Sequence, residues 1–169
     1  MNKLMNELKR LEKFHYGCLC KNQQMITDQN ELDKLISDEI IVQTPTSFLK
    51  NEIGMCHDAS IYVDQICNEN NINHKCIYLR GNFHTHSFII IQLMNGKWQV
   101  IDVFATNDCL WKQPFDECDE AINNRIDEWI EKDNENNSNI EIYLGSGMPS
   151  GGCDLTSYED KIFNNFKRL

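Results

Sequence analysis

Leu4, Leu8, Leu11 and Phe14 recur at the spacing of one helix face and predict a helix over residues 2–16. A second helix is expected over 28–39, "DQNELDKLISDE", with Asp28 as N-cap and Glu31 three residues on. "IIVQTPTSF" reads as an extended piece ending in a turn at Thr44-Pro45. Ala59, Tyr62, Val63 and Ile66 then mark an amphipathic helix from about Cys56 to Asn68, ended by the asparagine-rich "NENNIN". Three strands are predicted at 75–80, 86–93 and 97–104. Their apolar runs hardly alternate, so both faces of the sheet should be covered. "FDECDEAINNRIDEWIEKD" predicts another helix, with Asp116 as N-cap and Ile122, Ile126, Trp129 and Ile130 on its inner side. A polar loop over 133–139, a strand "IEIYLGS" and a closing helix "SYEDKIFNNFKRL" complete the pattern. Helices first, then an antiparallel sheet, then peripheral helices predict one α+β domain over 1–169. Its N-terminal helices span 2–39, its core motifs 44–104, and its C-terminal helices and strand 116–169.

Composition narrows the class. A chain of 169 residues with 41% apolar residues can build a real core. The net charge of −10, without a basic run, argues against nucleic acid and against anionic membrane surfaces. No stretch of eighteen apolar residues is present, so no spanning helix is expected. "MNKLMNELKRLEKF" has neither an apolar stretch nor a cleavage site, so it is no secretory signal and a cytoplasmic protein is expected. There the eight cysteines, at 18, 20, 56, 67, 76, 109, 118 and 153, should be free thiols and mostly small buried residues.

Cys56 differs from the rest. It follows Gly54, read as a flexible lead-in, and opens a helix, where unpaired N–H groups and the helix dipole favour thiolate. A nucleophilic thiol needs a base, and the base needs an orienting group. His86 and Asp102, on the two strands of one hairpin, supply both types, with His84 a competing base on the same face as His86. The turn between the strands decides whether they can meet. A two-residue Asn95-Gly96 turn would set Met94 opposite Lys97 and put His86 and Asp102 on opposite faces. A three-residue turn, Met94 to a left-handed Gly96, would set Leu93 opposite Lys97 and make them diagonal neighbours. Catalysis by this set therefore predicts the three-residue loop.

These segments carry a resemblance. "GMCHDA" (54–59) resembles the Gly-x-Cys-x-Asp signature of the transglutaminase-like cysteine enzymes. "HSF" (86–88) resembles their His-[Ala/Ser]-aromatic step, and "GKWQVID" (96–102) their Gly-x-Trp-x-x-x-Asp run; "TPTSFLKNEIGMC" is similar to their lead-in. The match covers roughly residues 44–104. It implies a papain-like α+β core, with the nucleophile helix packed on an antiparallel sheet. It also implies a Cys56-His86-Asp102 triad working through a thioester on a peptide or protein amide, with no cofactor and no metal. Cys56 would attack, His86 would hold the thiolate and then protonate the leaving amine, and Asp102 would fix the imidazole. The Cys56 backbone N–H would be one oxyanion donor and Gln43 a candidate second. Asp58 is read as structural. Without accessory domains or an Asp-x-Asp calcium loop, the chain fits the small bacterial and archaeal type, leaving protease, deamidase and cross-linking directions open.

Other residues have plainer readings. Trp98 and Trp111 flank the site and are candidates to line a substrate groove, with core packing as the default. Trp129 is expected in the core, and His57 and His74 at the surface. Cys18-x-Cys20 beside His15, with His84 and His86, allows a zinc staple, though the spacing is tighter than zinc sites use. "GSGMPSGG" is a linker or lid, not a phosphate loop. The alternatives to an enzyme are a non-catalytic protein-binding module of the same fold and a zinc-stapled structural domain.

Overall fold

The computed structural model describes residues 1–82, 84–105, 108–133 and 139–169. Helix α1 spans Asn2–Leu11, shorter than its apolar spacing predicts. Phe14 turns in against Phe48, ring centroids 5.1 Å apart. The next residues form strand β1 (His15–Tyr16) instead of continuing the helix. Strands β2 (Cys18–Cys20) and β3 (Met25–Ile26) follow. The expected helix over 28–39 reduces to a single turn, α2 (Gln29–Leu32), capped by Asp28, and a 3-10 turn at Ser37–Glu39. Helices persist where one face is buried, and here Leu32 and Leu35 are only partly covered while Ile36 is 62% exposed. Strand β4 (Ile40–Val42) ends at a helix the sequence reading took for a turn, α3 (Pro45–Asn51). Pro45 at its start presets the helical φ, and the Thr44 hydroxyl accepts from the Ser47 N–H.

Strand β5 (Ile53–Gly54) pairs parallel with β1 and delivers the chain to helix α4 (Cys56–Glu69). Strands β6 (His74–Arg80) and β7 (Thr85–Gln92) lie where expected, whereas β8 (Trp98–Ile101) stops three residues short of the expected 104, leaving Asp102 just past its end. Strand β9 (Leu110–Phe115) was not foreseen. Helix α5 (Cys118–Asp133) starts two residues beyond Asp116, whose carboxylate pairs with Lys97 at 2.8 Å instead of capping it. The polar loop expected at 133–139 lies largely outside the described residues. Strand β10 (Glu141–Gly145) is followed by β11 (Cys153–Asp154), α6 (Leu155–Asn165) and β12 (Lys167–Arg168). The glycine-rich linker or lid of the sequence reading thus runs into β11, which pairs with β4.

The fold is α+β. Its main sheet is antiparallel with order β12-β10-β6-β7-β8-β9, and a smaller antiparallel sheet has order β11-β4-β2-β3. As the strand sequences imply, the main sheet is covered on both faces. Cys76, Tyr78, Ile89, Ile91 and Ile101 pack with Ala59, Val63 and Ile66 of α4. Ile77, Leu79, Phe88, Ile90 and Val100 pack with Ala121, Ile122, Ile126 and Trp129 of α5. Helix α4 is hemmed in on nearly every side, so residues 56 to 64 are all buried. His57, expected at the surface, is one of them.

The β7–β8 turn takes the three-residue form. Leu93 N–H donates to the Lys97 carbonyl, Gly96 has φ of +85°, and Ile89 faces Ile101. Among the described residues no helix is long and apolar enough to cross a membrane.

Candidate active site

Cys56 is the first residue of α4. Asp58 fixes that end: its Oδ2 accepts from the Met55 N–H at 2.8 Å and its Oδ1 from the Gln43 N–H at 2.6 Å. Burial nevertheless pushes the Asp58 carboxyl up to about 6. Gln43 was expected to aim an amide at an oxyanion. Its Nε2 instead donates to the Ile53 carbonyl and to Asp58, and its Oε1 accepts from Ser47 and Asn51. Gln43 therefore braces the helix entry. Gly54 serves close approach more than flexibility, since a Cβ there would lie 2.5 Å from Phe48 Cε2 and 2.9 Å from Asp58 Oδ2. Phe48 is fully buried, so Gly54→Ala should cost about 1–3 kcal/mol, read as a lower urea midpoint with an unchanged slope.

The three-residue turn brings His86 and Asp102 to one face. His86 Nε2 lies 2.6 Å from Asp102 Oδ2, a distance that requires the proton on Nε2. Nδ1 is then the nitrogen left for the thiol; His86 and Cys56 line the same hollow, and each shifts the other electrostatically. The sequence reading missed two members of this corner. Arg125 of α5, only 3% exposed, donates from Nε to the same Asp102 oxygen at 2.7 Å. Trp129, expected only as core, stacks on the His86 ring at 6.2 Å and 13° and lines the cavity beside it. Arg125 had no signal beyond a lone cation on the inner side of its helix.

A second imidazole stands at the sulfur. His57 Nδ1 is 3.8 Å from Cys56 Sγ and 3.0 Å from Ser87 Oγ, while Nε2 is 3.2 Å from Thr85 Oγ1. The Ser87 hydroxyl donates to Ser60, so its oxygen is free to accept from the His57 ring. Tyr78 stacks on the other side of that ring at 5.4 Å.

The electrostatics favour a thiolate. Burial opposes charge on Cys56, but the two imidazoles outweigh it and hold the thiol well below its usual range. Burial also opposes charge on His86, yet Asp102 and Cys56 raise it to about 9. His57 is raised against burial, chiefly by Cys56. Asp102, despite burial, is lowered by His86 and Arg125. Cys18, Cys67 and Cys109 go the other way, each pushed up by burial to about 12.

Cys56 lies where two hollows meet. One, of about 370 Å³, is lined by His86, Phe104, Arg125 and Trp129; the other, of about 560 Å³, has Leu32, Leu35, Ile40 and Leu155 among its walls. His84 lines both and is not part of the His86–Asp102 pair. Trp98 and Trp111 line neither. Trp111 is buried, and Lys75 covers Trp98 from 5.4 Å. All eight cysteines are unpaired thiols. Cys18 and Cys20, their sulfurs 3.9 Å apart, gather no third metal-ligating group among the described residues. His74, expected to be exposed, has a side chain only 6% exposed because Asp64 draws it in.

Compared with protein-family models, curated proteins and solved structures, the chain matches none.

Proposed function

We propose that this protein is a cysteine-dependent amide hydrolase or acyltransferase of the transglutaminase-like, papain-like kind, acting on a peptide or protein through a thioester. One observation carries the reading: the Cys56 sulfur, at a helix start, opens on two hollows, stands 3.8 Å from the His57 imidazole, and shares one hollow with the His86 imidazole that a buried carboxylate holds. Cys56 Sγ attacks the amide carbonyl, and the N–H groups of the first helical turn face the developing oxyanion. His86 gives its proton to the leaving amine as the C–N bond breaks. The resulting thioester yields to water or an amine, which His86 deprotonates, and the released sulfur closes the cycle. Arg125 and Asp102 keep the imidazole in place, and His57 adds positive potential beside the thiolate.

An activated ester tests the reaction without knowledge of the substrate. p-Nitrophenyl acetate should release a burst of one nitrophenolate per chain and leave one acetyl group on Cys56, located by peptide mass spectrometry. No burst, or acetylation spread over several cysteines, would count against an acyl-enzyme. Amide substrates add a pH signature. The active pair is thiolate with imidazolium, so amide cleavage should rise as Cys56 loses its proton, well below the ordinary thiol range. It should fall as His86 loses its own near about 9. Ester acylation needs no proton for its leaving group and should lack the alkaline fall. A matching fall with both substrates would remove His86 from the role of acid.

A further inference from the structure

A second group of side chains with ligand chemistry lies further along α4. Asp64 of α4 and His74 and Cys76 of β6 bring a carboxylate oxygen, an imidazole nitrogen and a sulfur within 4.8 Å of one another. His74 Nε2 is 2.7 Å from Asp64 Oδ1, and Cys76 Sγ is 3.4 Å from the same oxygen. His74 and Cys76 alternate on β6 and so face the same helix.

The far side of the imidazole is already committed. His74 Nδ1 lies 2.8 Å from the Ile72 carbonyl, to which it can only donate. What Nε2 offers Asp64 and Cys76 is therefore a second proton or a lone pair. A ring oriented by Nδ1–H on a carbonyl, with Nε2 turned inward, is the arrangement of metal-bound histidines. In the same packed cluster as Cys76, the fully buried Tyr158 hydroxyl has no hydrogen-bond partner among the described residues. An orphaned polar atom of this kind calls for an explanation such as a bound ion or water.

We propose that Asp64, His74 and Cys76 form a site for one zinc-class divalent cation, separate from Cys56, that ties helix α4 to strand β6. The donor set is mixed oxygen, nitrogen and sulfur, which suits Zn²⁺ over the hard cations. Ligands at about 2.0–2.3 Å from a tetrahedral ion lie roughly 3.3–3.7 Å apart. The Cys76–Asp64 spacing already meets this, and the His74–Asp64 contact needs to open by less than about 1 Å. Binding exchanges the Cys76 proton, and the His74 Nε2 proton where present, for the cation; no electrons move.

Cobalt(II) gives the test, because a thiolate ligand produces a sulfur-to-cobalt charge-transfer band. The untagged full chain, freed of metal, should take up one equivalent of Co²⁺ with that band, and Zn²⁺ should displace it. Cys76→Ser should abolish the band. His74→Gln, a less intrusive change at a partly buried position, should weaken Co²⁺ binding at least a hundredfold while near-ultraviolet circular dichroism shows the fold retained. Cys56→Ser and the double variant Cys18→Ser/Cys20→Ser should bind Co²⁺ like the parent chain. The proposal is overturned if no sulfur-to-cobalt band appears at one equivalent. It is equally overturned if the band survives His74→Gln at full affinity, or if it vanishes with Cys56 or with the Cys18–Cys20 pair.

Discussion

Iodoacetamide at pH 6 should carbamidomethylate Cys56 about 30- to 300-fold faster than it does a free thiol in the same solution. The magnitude follows from thiolate fractions. A free thiol with its pKa near 8.5 is about 0.3% ionised at pH 6, whereas two imidazoles hold Cys56 well below its usual range, so its thiolate share is far larger, with full ionisation as the ceiling. That gives roughly a 300-fold lead, reduced severalfold because a thiolate of low pKa is intrinsically less nucleophilic. Within the chain the contrast should be steeper. Cys18, Cys67 and Cys109 are pushed by burial to about 12, so almost no thiolate exists on them at pH 6. Cys153, the one partly exposed cysteine, is the internal comparison. Peptide mass spectrometry after short exposure reads all eight at once. Even, slow labelling would favour a non-catalytic binding module, since nothing would then distinguish Cys56.

Asp102→Ala should unfold the protein at a clearly lower urea concentration, a loss of about 3–5 kcal/mol. The carboxylate is 2% exposed, and its Oδ2 is the shared acceptor of His86 Nε2 and Arg125 Nε. Removing it strands a guanidinium that is itself 3% exposed, and an unpaired buried charge carries a cost of that order. Function should fall separately. Without Asp102 the His86 ring loses the acceptor that fixes its tautomer and most of what raises it against burial, so amide turnover should drop about 10²- to 10⁴-fold. The double variant Asp102→Leu/Arg125→Met distinguishes the two effects, because an apolar pair can replace a buried ion pair at little cost. It should recover much of the urea midpoint and none of the turnover. An unchanged midpoint in Asp102→Ala would show that the pair does not hold the two layers together.

The parts of this site legible in sequence are those set by local chemistry. Asn95-Gly96 marked the β7–β8 turn but left two registers open; the three-residue form with Gly96 at positive φ is the one that lets His86 and Asp102 meet. Covered faces on both sides of the sheet followed from strands without alternation. The rest depended on tertiary packing. Spacing puts Arg125 on the inner side of its helix, but nothing local names the carboxylate 23 residues away that its guanidinium meets. His57 and His74 occur in polar company, but partners on other elements bury both: Ser87 and Thr85 for one, Asp64 for the other. β9 contains Pro114, a poor strand residue that an edge strand tolerates. The helix expected over 28–39 failed for want of a surface to cover, and its apolar residues border the larger hollow instead.

Cys56 arrives from the α4 side of the main sheet, whereas Asp102, Arg125 and Trp129 reach His86 from the α5 side. The reactive pair is thus assembled around the end of the sheet from both layers. A chain emerging from the ribosome exposes Cys56 before residues 85–102 exist, and until the sheet forms the sulfur lacks His86, one of the two imidazoles that make it acidic. Nascent or partly unfolded molecules would therefore carry a less acidic thiol, and full reactivity would follow only once both layers are assembled.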